Sequence, residues 1–471
     1  MLSHNYYRMK FIKQAVLYAG LIIVFGALIY YLLHTGKQAF IKTELHVPGK
    51  TLSNRNVQEN IFQSNLRESL PRLLLQIVII IAASRLLGLV FKKIGQPAVI
   101  GETVAGIFLG PSLLGLLFPG VFHFIFPAES LPNLRFLSQI GLILFMFMVG
   151  MELDIRLLRK QAFEAVIISH ASIIIPFSLG IFLSFFLYEA YASGQTPFIS
   201  FALFMGIAMS ITAFPVLARI IRDRKLTDTP LGILAIGCAA SDDITAWCLL
   251  ALLIAFIRSG SGMNGMVVIG AVFLFICFML FPVRIFLNKI QSVYEKGKMR
   301  YSTFMAVIFI FLLLSSWSTE VIGIHALFGA FLAGVVIPAH EAIQKQIISR
   351  ISDVTMVMLL PLFFVYTGLR TQAGLLNTGA LWGTFALILL CAVAGKFGGS
   401  TLVAKALGQN WKNSLSIGAL MNTRGLMELI VLNIGYDMGI LSTEIFSMMV
   451  LMALITTMMT TPLLNWIGNK D

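Results

Sequence analysis

The sequence predicts an all-α polytopic membrane protein with about fourteen transmembrane helices, an inverted-topology repeat and two crossing broken helices. Three observations predict it. Of the 471 residues, 58% are hydrophobic and only 12% charged, with a mean hydropathy of +0.90; a soluble domain carries about 25% charged residues. Apolar windows of about 20 residues, the length that spans a bilayer as a helix, recur along the whole chain. Short motifs of the first half also return in the same order in the second.

The windows fall near 14–33, 70–91, 98–118, 135–152, 162–188, 197–219, 229–256, 265–287, 302–317, 321–338, 353–370, 379–407, 412–435 and 443–466. Residues 1–69 read as an extra N-terminal transmembrane helix with an outer loop, and 70–471 as the main transmembrane domain. A signal peptide is the alternative for the first window. Its apolar run, Ala15 to Leu33, exceeds the roughly 7–15 residues of such a region and no A-x-A site follows, so a retained helix is expected. The chain stops at Asp471, soon after the last window, so no appended soluble domain is expected.

The basic residues set the orientation. Arg8, Lys10 and Lys13 share one side with Arg85, Lys92 and Lys93, then with Arg156, Arg159 and Lys160, with Arg222, Arg224 and Lys225, and with Lys289, Lys296, Lys298 and Arg300. Connections 189–196 and 436–442 carry no Lys or Arg, although the 34–69 loop departs from the pattern with five. Both termini are expected to be cytoplasmic, in a plasma membrane (the inner membrane of a Gram-negative cell). The net charge of +13 is explained by these connections, so no nucleic acid partner is expected; the surrounding partner is lipid. Cys238, Cys248, Cys277 and Cys391 lie inside apolar segments, as small buried hydrophobes do, without metal or disulfide spacing.

The repeat pairs AGIFLGP (Ala105–Pro111) with AGVVIP (Ala333–Pro338), LFMFMVGMEL (Leu144–Leu153) with LFFVYTGLR (Leu362–Arg370), and SITAFP (Ser210–Pro215) with MNTRGL (Met421–Leu426). Seven spans separate each pair, so matched elements cross in opposite directions, a common plan among secondary transporters. The last pair holds the expected helix breaks, at Thr212, Pro215, Asn422 and Thr423. Proline removes a backbone donor and glycine leaves helical geometry readily. Pro215 as a plain helix kink is the alternative.

Asp242 and Asp243 sit side by side in the seventh span, and Lys396 lies midway along the twelfth. Ionisable residues at membrane depth are expensive and mark functional sites. Adjacent helical residues point about 100° apart, so both carboxyls cannot face one small site equally. One division has one carboxylate facing a water-filled cavity while the other pairs with Lys396; an Asp–Lys pair that merely holds two helices together is the structural alternative. A carboxyl that binds either H⁺ or an alkali cation, exposed to the two sides in turn, couples their fluxes, and oxygen ligands suit such an ion. Arg424 and Glu428, four apart on one helix face, form a candidate ion pair. Glu102 follows the Gln96-Pro97 turn, where an acid complements a helix start. His325 and Glu320 are expected as satisfied polar contacts or as groups that meet water or substrate. Phe145–Met148 is expected to pack.

At these residues the chain resembles the monovalent cation:proton antiporter-2 family of the sodium/proton antiporter superfamily. The matching stretches are GQPAVIGETVAGIFLGPS (Gly95–Ser112), FMVGMELD (Phe147–Asp154), SITAFPVLARI (Ser210–Ile220), SDDITAW (Ser241–Trp247), GIHALFGAFLAGVVIP (Gly323–Pro338), GKFGG (Gly395–Gly399) and MNTRGLMELIVLNIG (Met421–Gly435). The last is especially similar to plant and fungal cation/proton exchangers. The resemblance implies a secondary active antiporter that exchanges K⁺ or Na⁺ for H⁺ by alternating access. It implies a homodimer, and a panel of helices holding a mobile core made of spans five to seven and twelve to fourteen. It further implies that Asp243 is the main ion and proton carrier, that Asp242 pairs alternately with Lys396, and that the adjacent aspartates make exchange electrogenic. A cation channel lined by the aspartates and an organic-anion carrier are the alternatives. No cofactor is expected, and no nucleophile–base motif or metal cluster points to an enzyme.

Overall fold

The computed structural model describes parts of residues 16–34, together with residues 68–152, 162–192, 196–227, 229–259, 263–338, 340–375 and 378–468. Parts of the expected first span and all but the ends of the loop after it lie outside these residues. Among the described residues the regular structure is helical throughout; the one β-type feature is an isolated antiparallel bridge between Ala192 and Leu441.

The chain begins with α1 (Ser69–Lys93), α2 (Ala98–Leu109) and α3 (Leu131–Glu152), and two short helices at 114–117 and 119–125 lie between the last two. α4 (Ala162–Tyr191) leads to the broken span α5 (Phe198–Ser210) and α6 (Phe214–Asp223), followed by the acidic helix α7 (Pro230–Ser259). α8 (Met263–Phe278) continues through a π-helical turn into α9 (Arg284–Glu295), and then come α10 (Tyr301–Ile322) and α11 (Ala326–Val336). A second π turn joins α12 (Glu341–Val354) to α13 (Leu360–Arg370), and a third, Ala394–Gly398, joins α14 (Gly379–Val393) to α15 (Gly399–Ala406). The other broken span, α16 (Trp411–Met421) and α17 (Leu426–Asp437), precedes α18 (Thr443–Trp466).

Among the described residues eleven helices are long and apolar enough to cross a membrane, or twelve if the bent pair α16–α17, with its 41° angle, is one span. The expected count was about fourteen. The expected tenth span, 321–338, accounts for part of the difference. Gly323 takes a left-handed φ of 99° and ends α10, which leaves α11 with 11 residues. At 1.5 Å per residue that is about 16 Å, half of a hydrocarbon core. The first expected span accounts for the rest.

Substantial packing divides the helices into two groups. α1–α3 pack with α8–α13, and α4–α7 pack with α14–α18. Between the groups run the α7–α8 connection, a narrow contact of α13 with α17, and one of residues 373–375 with α18. The first group is called the panel below and the second the core; the core contains spans five to seven and twelve to fourteen of the sequence count. Large apolar side chains such as Leu74, Val78, Phe273, Leu274 and Trp317 point outward from the panel, as lipid contact allows.

The repeat is visible in how the panel is stitched. A Cβ on Gly106 of α2 would lie 2.6 Å from Val365 and 2.9 Å from the Gly368 Cα of α13, while one on Gly334 of α11 would lie 2.1 Å from the Phe147 carbonyl and 2.9 Å from the Gly150 Cα of α3. Gly106 and Gly334 occupy matching places in AGIFLGP and AGVVIP, and Gly150 and Gly368 match in the second motif pair. Each half thus grips the other at equivalent points, the reciprocal pattern that a two-fold relation produces. Only glycine lets the backbones approach so closely.

Candidate functional site

The two broken spans meet at their breaks. α5 stops at Ser210 because Ile211 and Ala213 are extended, with ψ of 137° and 91°. Pro215 takes the second position of α6, where its missing donor has no intrahelical partner to lose. It therefore opens a helix rather than kinking one. In the other half Asn422–Gly425 separate α16 from α17. The breaks satisfy one another: Ala213 N–H donates to the Thr423 carbonyl (3.0 Å), and Thr212 Oγ1 lies 3.3 Å from the Met421 carbonyl. Arg424 donates to the Ala208 (3.0 Å) and Met209 (2.6 Å) carbonyls at the end of α5. Non-helical backbone at membrane depth survives where the protein supplies such partners.

Asp242 lies beside this crossing, fully buried. Its Oδ2 is 2.9 Å from Lys396 Nζ and 2.5 Å from Thr212 Oγ1, and its Oδ1 accepts from Ser169 and Ser172 of α4, each at 2.8 Å. Lys396 Nζ also donates to Thr212 Oγ1 at 2.5 Å. Thr212 thus accepts from the ammonium and donates to the carboxylate. Lys396 is carried on the Ala394–Gly398 π turn, whose extra residue shifts the register of the helix; such turns recur at functional sites.

Asp243, the next residue, faces another way. It is 1% exposed, and neither carboxylate oxygen has a hydrogen-bond partner among the described residues. The backbone of Phe214, at the positive N-terminal end of α6, lies within electrostatic reach. Asn422 at the other break is fully buried, and both of its amide atoms likewise lack a partner among the described residues. Arg424 and Glu428 form a buried pair at 3.0 Å.

Five charged side chains are buried among the described residues: Asp242, Asp243, Lys396, Arg424 and Glu428. Two ion pairs account for four of them. The fifth, Asp243, has no ion-pair partner among the described residues.

One sequence reading changes, and another resolves to satisfied polar contacts. Glu102 falls in the second turn of α2, too far in to complement a helix start; its field comes from Arg85 of α1 and Arg219 of α6. His325 and Glu320 both serve the start of α11: Glu320 accepts from Ala326 N–H (2.8 Å) and His325 from Leu327 N–H (3.4 Å). Ser169, Ser172, Thr457 and Thr460 are polar members of the centre that sequence reasoning missed. Thr457 Oγ1 accepts from Arg424 N–H (3.2 Å), and Thr460 Oγ1 lies 3.1 Å from that of Thr423.

A family model described as sodium/hydrogen exchanger, transmembrane, matches residues 77–467. The chain belongs to that family. Among its curated relatives, a protein named Na(+)/H(+) antiporter NhaS4 from Synechocystis is 45% identical over 392 residues, covering 83% of this chain and 96% of the relative. Cation/H(+) antiporter 17 of Arabidopsis thaliana is 41% identical, and K(+)/H(+) antiporter 1 of Saccharomyces cerevisiae 33%. The exchanger chain covers 50% and 47% of the lengths of those two, about half of each. Among solved structures, the sodium proton antiporter MjNhaP1 from Methanocaldococcus jannaschii matches with a TM-score of 0.59 at 14% identity, over 84% of this chain and 98% of that one. That likeness speaks for the fold.

Proposed function

We propose that this chain exchanges a monovalent cation, K⁺ or Na⁺, for H⁺ by alternating access, the activity its family membership entails, with Asp243 as the group that carries one or the other. The observation that carries the assignment is the buried charge count. Asp242 is matched by Lys396 and three hydroxyls, and Glu428 by Arg424, whereas both oxygens of Asp243 lack a hydrogen-bond donor among the described residues. An isolated buried carboxylate is unfavourable by several kcal/mol, so Asp243 takes a proton or a cation in every conformation that buries it. The two occupants exclude each other, and that exclusion is the coupling. Oxygen ligands for the cation are at hand in Asp243, in Asp242 should its pairing loosen, in the hydroxyls of Thr212 and Thr423, and in the Asn422 carbonyl.

Asp242 holds Lys396 and keeps a permanent charge away from the carrier. If the carrier releases two protons per cation through coupled titration of both aspartates, exchange moves net charge and responds to voltage. We assign the protein to the plasma membrane with both termini cytoplasmic, from the basic connections, and to a homodimer.

The reading is tested in proteoliposomes with an imposed pH gradient and added Na⁺, K⁺ or Li⁺. Cation-dependent dissipation of the gradient is expected, abolished by Asp243→Asn. Undiminished cation-coupled proton movement in that variant overturns the carrier role. A voltage-insensitive rate overturns electrogenic exchange alone.

A further inference from the structure

Away from the crossing, panel and core meet through charge on both faces of the molecule. On the face of the 371–378 and 436–442 connections, Asp437, the last residue of α17, bridges two panel guanidiniums. It accepts from Arg135 of α3 at 3.0 Å and from Arg370 of α13. Arg370 also donates to Asn433 Oδ1 (3.0 Å) and stacks over Tyr366 (4.8 Å) of the panel and Tyr436 (4.5 Å) of the core. Asn433 in turn donates to Thr367 of α13 at 2.7 Å. Of these groups Arg135, Tyr366, Asn433 and Asp437 line a small cavity together with Leu142, Phe363 and Ile430.

On the opposite face the signs are exchanged. There the core helix α6, which matches α17 in the repeat, carries the bases Arg219 and Arg222, and the panel carries the acids Glu102 of α2 and Glu152 of α3. Glu102 lies in the fields of Arg85 of the panel and of Arg219, and Glu152 in that of Arg222. Among the described residues neither acid makes an ion pair within 4.0 Å. One ionic set is closed while its counterpart holds matching charges apart.

We propose that Arg135, Arg370 and Asp437 form an electrostatic gate that ties α17 to the panel and shuts the ion pathway on this face. Glu102, Glu152, Arg219 and Arg222 form the opposing gate, which closes when the first opens. A core that moves as one body cannot seat both α6 and α17 against the panel at once, so the two sets compete. The gate residues are positioning residues, since they touch neither Asp243 nor the Asp242–Lys396 pair. The proposal rests on the antiport reading for its purpose, but accessibility of the pathway tests it without reference to transport.

The test places a cysteine at Leu142→Cys, below the gate, in the full chain in proteoliposomes. A membrane-impermeant thiol reagent is applied to the 436–442 face, and the chain without the added cysteine supplies the background. Asp437→Asn and Arg370→Gln are each expected to speed labelling at least fivefold, while Asp437→Glu, which keeps the charge, stays within twofold. The double change Glu102→Gln, Glu152→Gln leaves the closed gate intact and is expected to slow labelling by favouring it. Labelling unchanged by both Asp437→Asn and Arg370→Gln overturns the gate, as does an equal rise from both faces, which marks a loosened fold. If labelling follows these expectations while Asp243→Asn still exchanges, the gate stands and the carrier assignment falls.

Discussion

Removing Lys396 tests the electrostatics of the centre most directly. Its ammonium lies 2.9 Å from Asp242, with both side chains fully buried. At an effective dielectric constant of 20 their attraction is about 6 kcal/mol. Lys396→Met keeps most of the volume and leaves Asp242 with its three hydroxyl donors, so the loss settles near the roughly 3–5 kcal/mol seen when one partner of a buried pair is removed. Asp242→Asn strands the ammonium at a comparable cost. The double variant buries neither charge and is expected to cost far less than the sum, a coupling of about 2–3 kcal/mol. With an unfolding entropy of about 2.1 cal/mol/K per residue, a chain of 471 residues shifts its midpoint by roughly 1 °C per kcal/mol. Each single variant should therefore melt about 3–5 °C lower in detergent, and the double variant about 4–7 °C lower, short of the roughly 6–10 °C of the added losses. Single effects that add in the double within about 0.5 kcal/mol refute the pairing as the source of stability.

Three further outcomes follow from the same geometry. Asp243→Asn removes a carboxylate that has no hydrogen-bond partner among the described residues, so its melting midpoint should stay level or rise even as exchange is lost; a fall of several degrees counts against an unpaired carrier. Thr212→Val keeps the shape but deletes the hydroxyl between Lys396 and Asp242, at about 1.5–3 kcal/mol per bond to a charged group; a midpoint unchanged within 1 °C, at roughly 1 °C per kcal/mol, refutes the relay. Gly334→Ala places a Cβ 2.1 Å from the Phe147 carbonyl, whereas Gly383→Ala meets nothing within 4 Å. The first should destabilise by about 1–3 kcal/mol and the second stabilise by about 0.5–1 kcal/mol, read from paired melts; equal effects refute the backbone contact.

Much of this architecture was legible because lipid makes sequence signals strong. Asp242, Asp243 and Lys396 stand out in apolar spans where a charge has no casual reason to be, and Pro215 and Gly425 mark where the helices break. The hydroxyls were not legible. α4 carries four buried serines; Ser178 and Ser184 donate to carbonyls of their own helix, while Ser169 and Ser172 turn to Asp242. All four look alike in a sequence, because the choice depends on which neighbour lies opposite. α11 failed as a full span for a related reason. Hydropathy reports only that a segment is apolar, and 11 residues buried among protein neighbours read like part of a longer lipid-facing helix. Glu102 was misplaced because its charged surroundings come from Arg85 on the preceding helix and from Arg219, more than a hundred residues away.

The mutual capping of the two breaks also sets a timetable for synthesis. The Ala213 N–H waits for the carbonyl of Thr423 in the second half, and the Met209 carbonyl for a guanidinium 215 residues away. At about 5–20 residues per second, the first broken helix leaves the ribosome some 10–40 s before the second exists. Through that interval its frayed backbone and Asp242 must be sheltered by water, the insertion machinery or a provisional neighbour. The first half of this molecule is therefore born incomplete, and its quality control has a natural checkpoint in the arrival of the second.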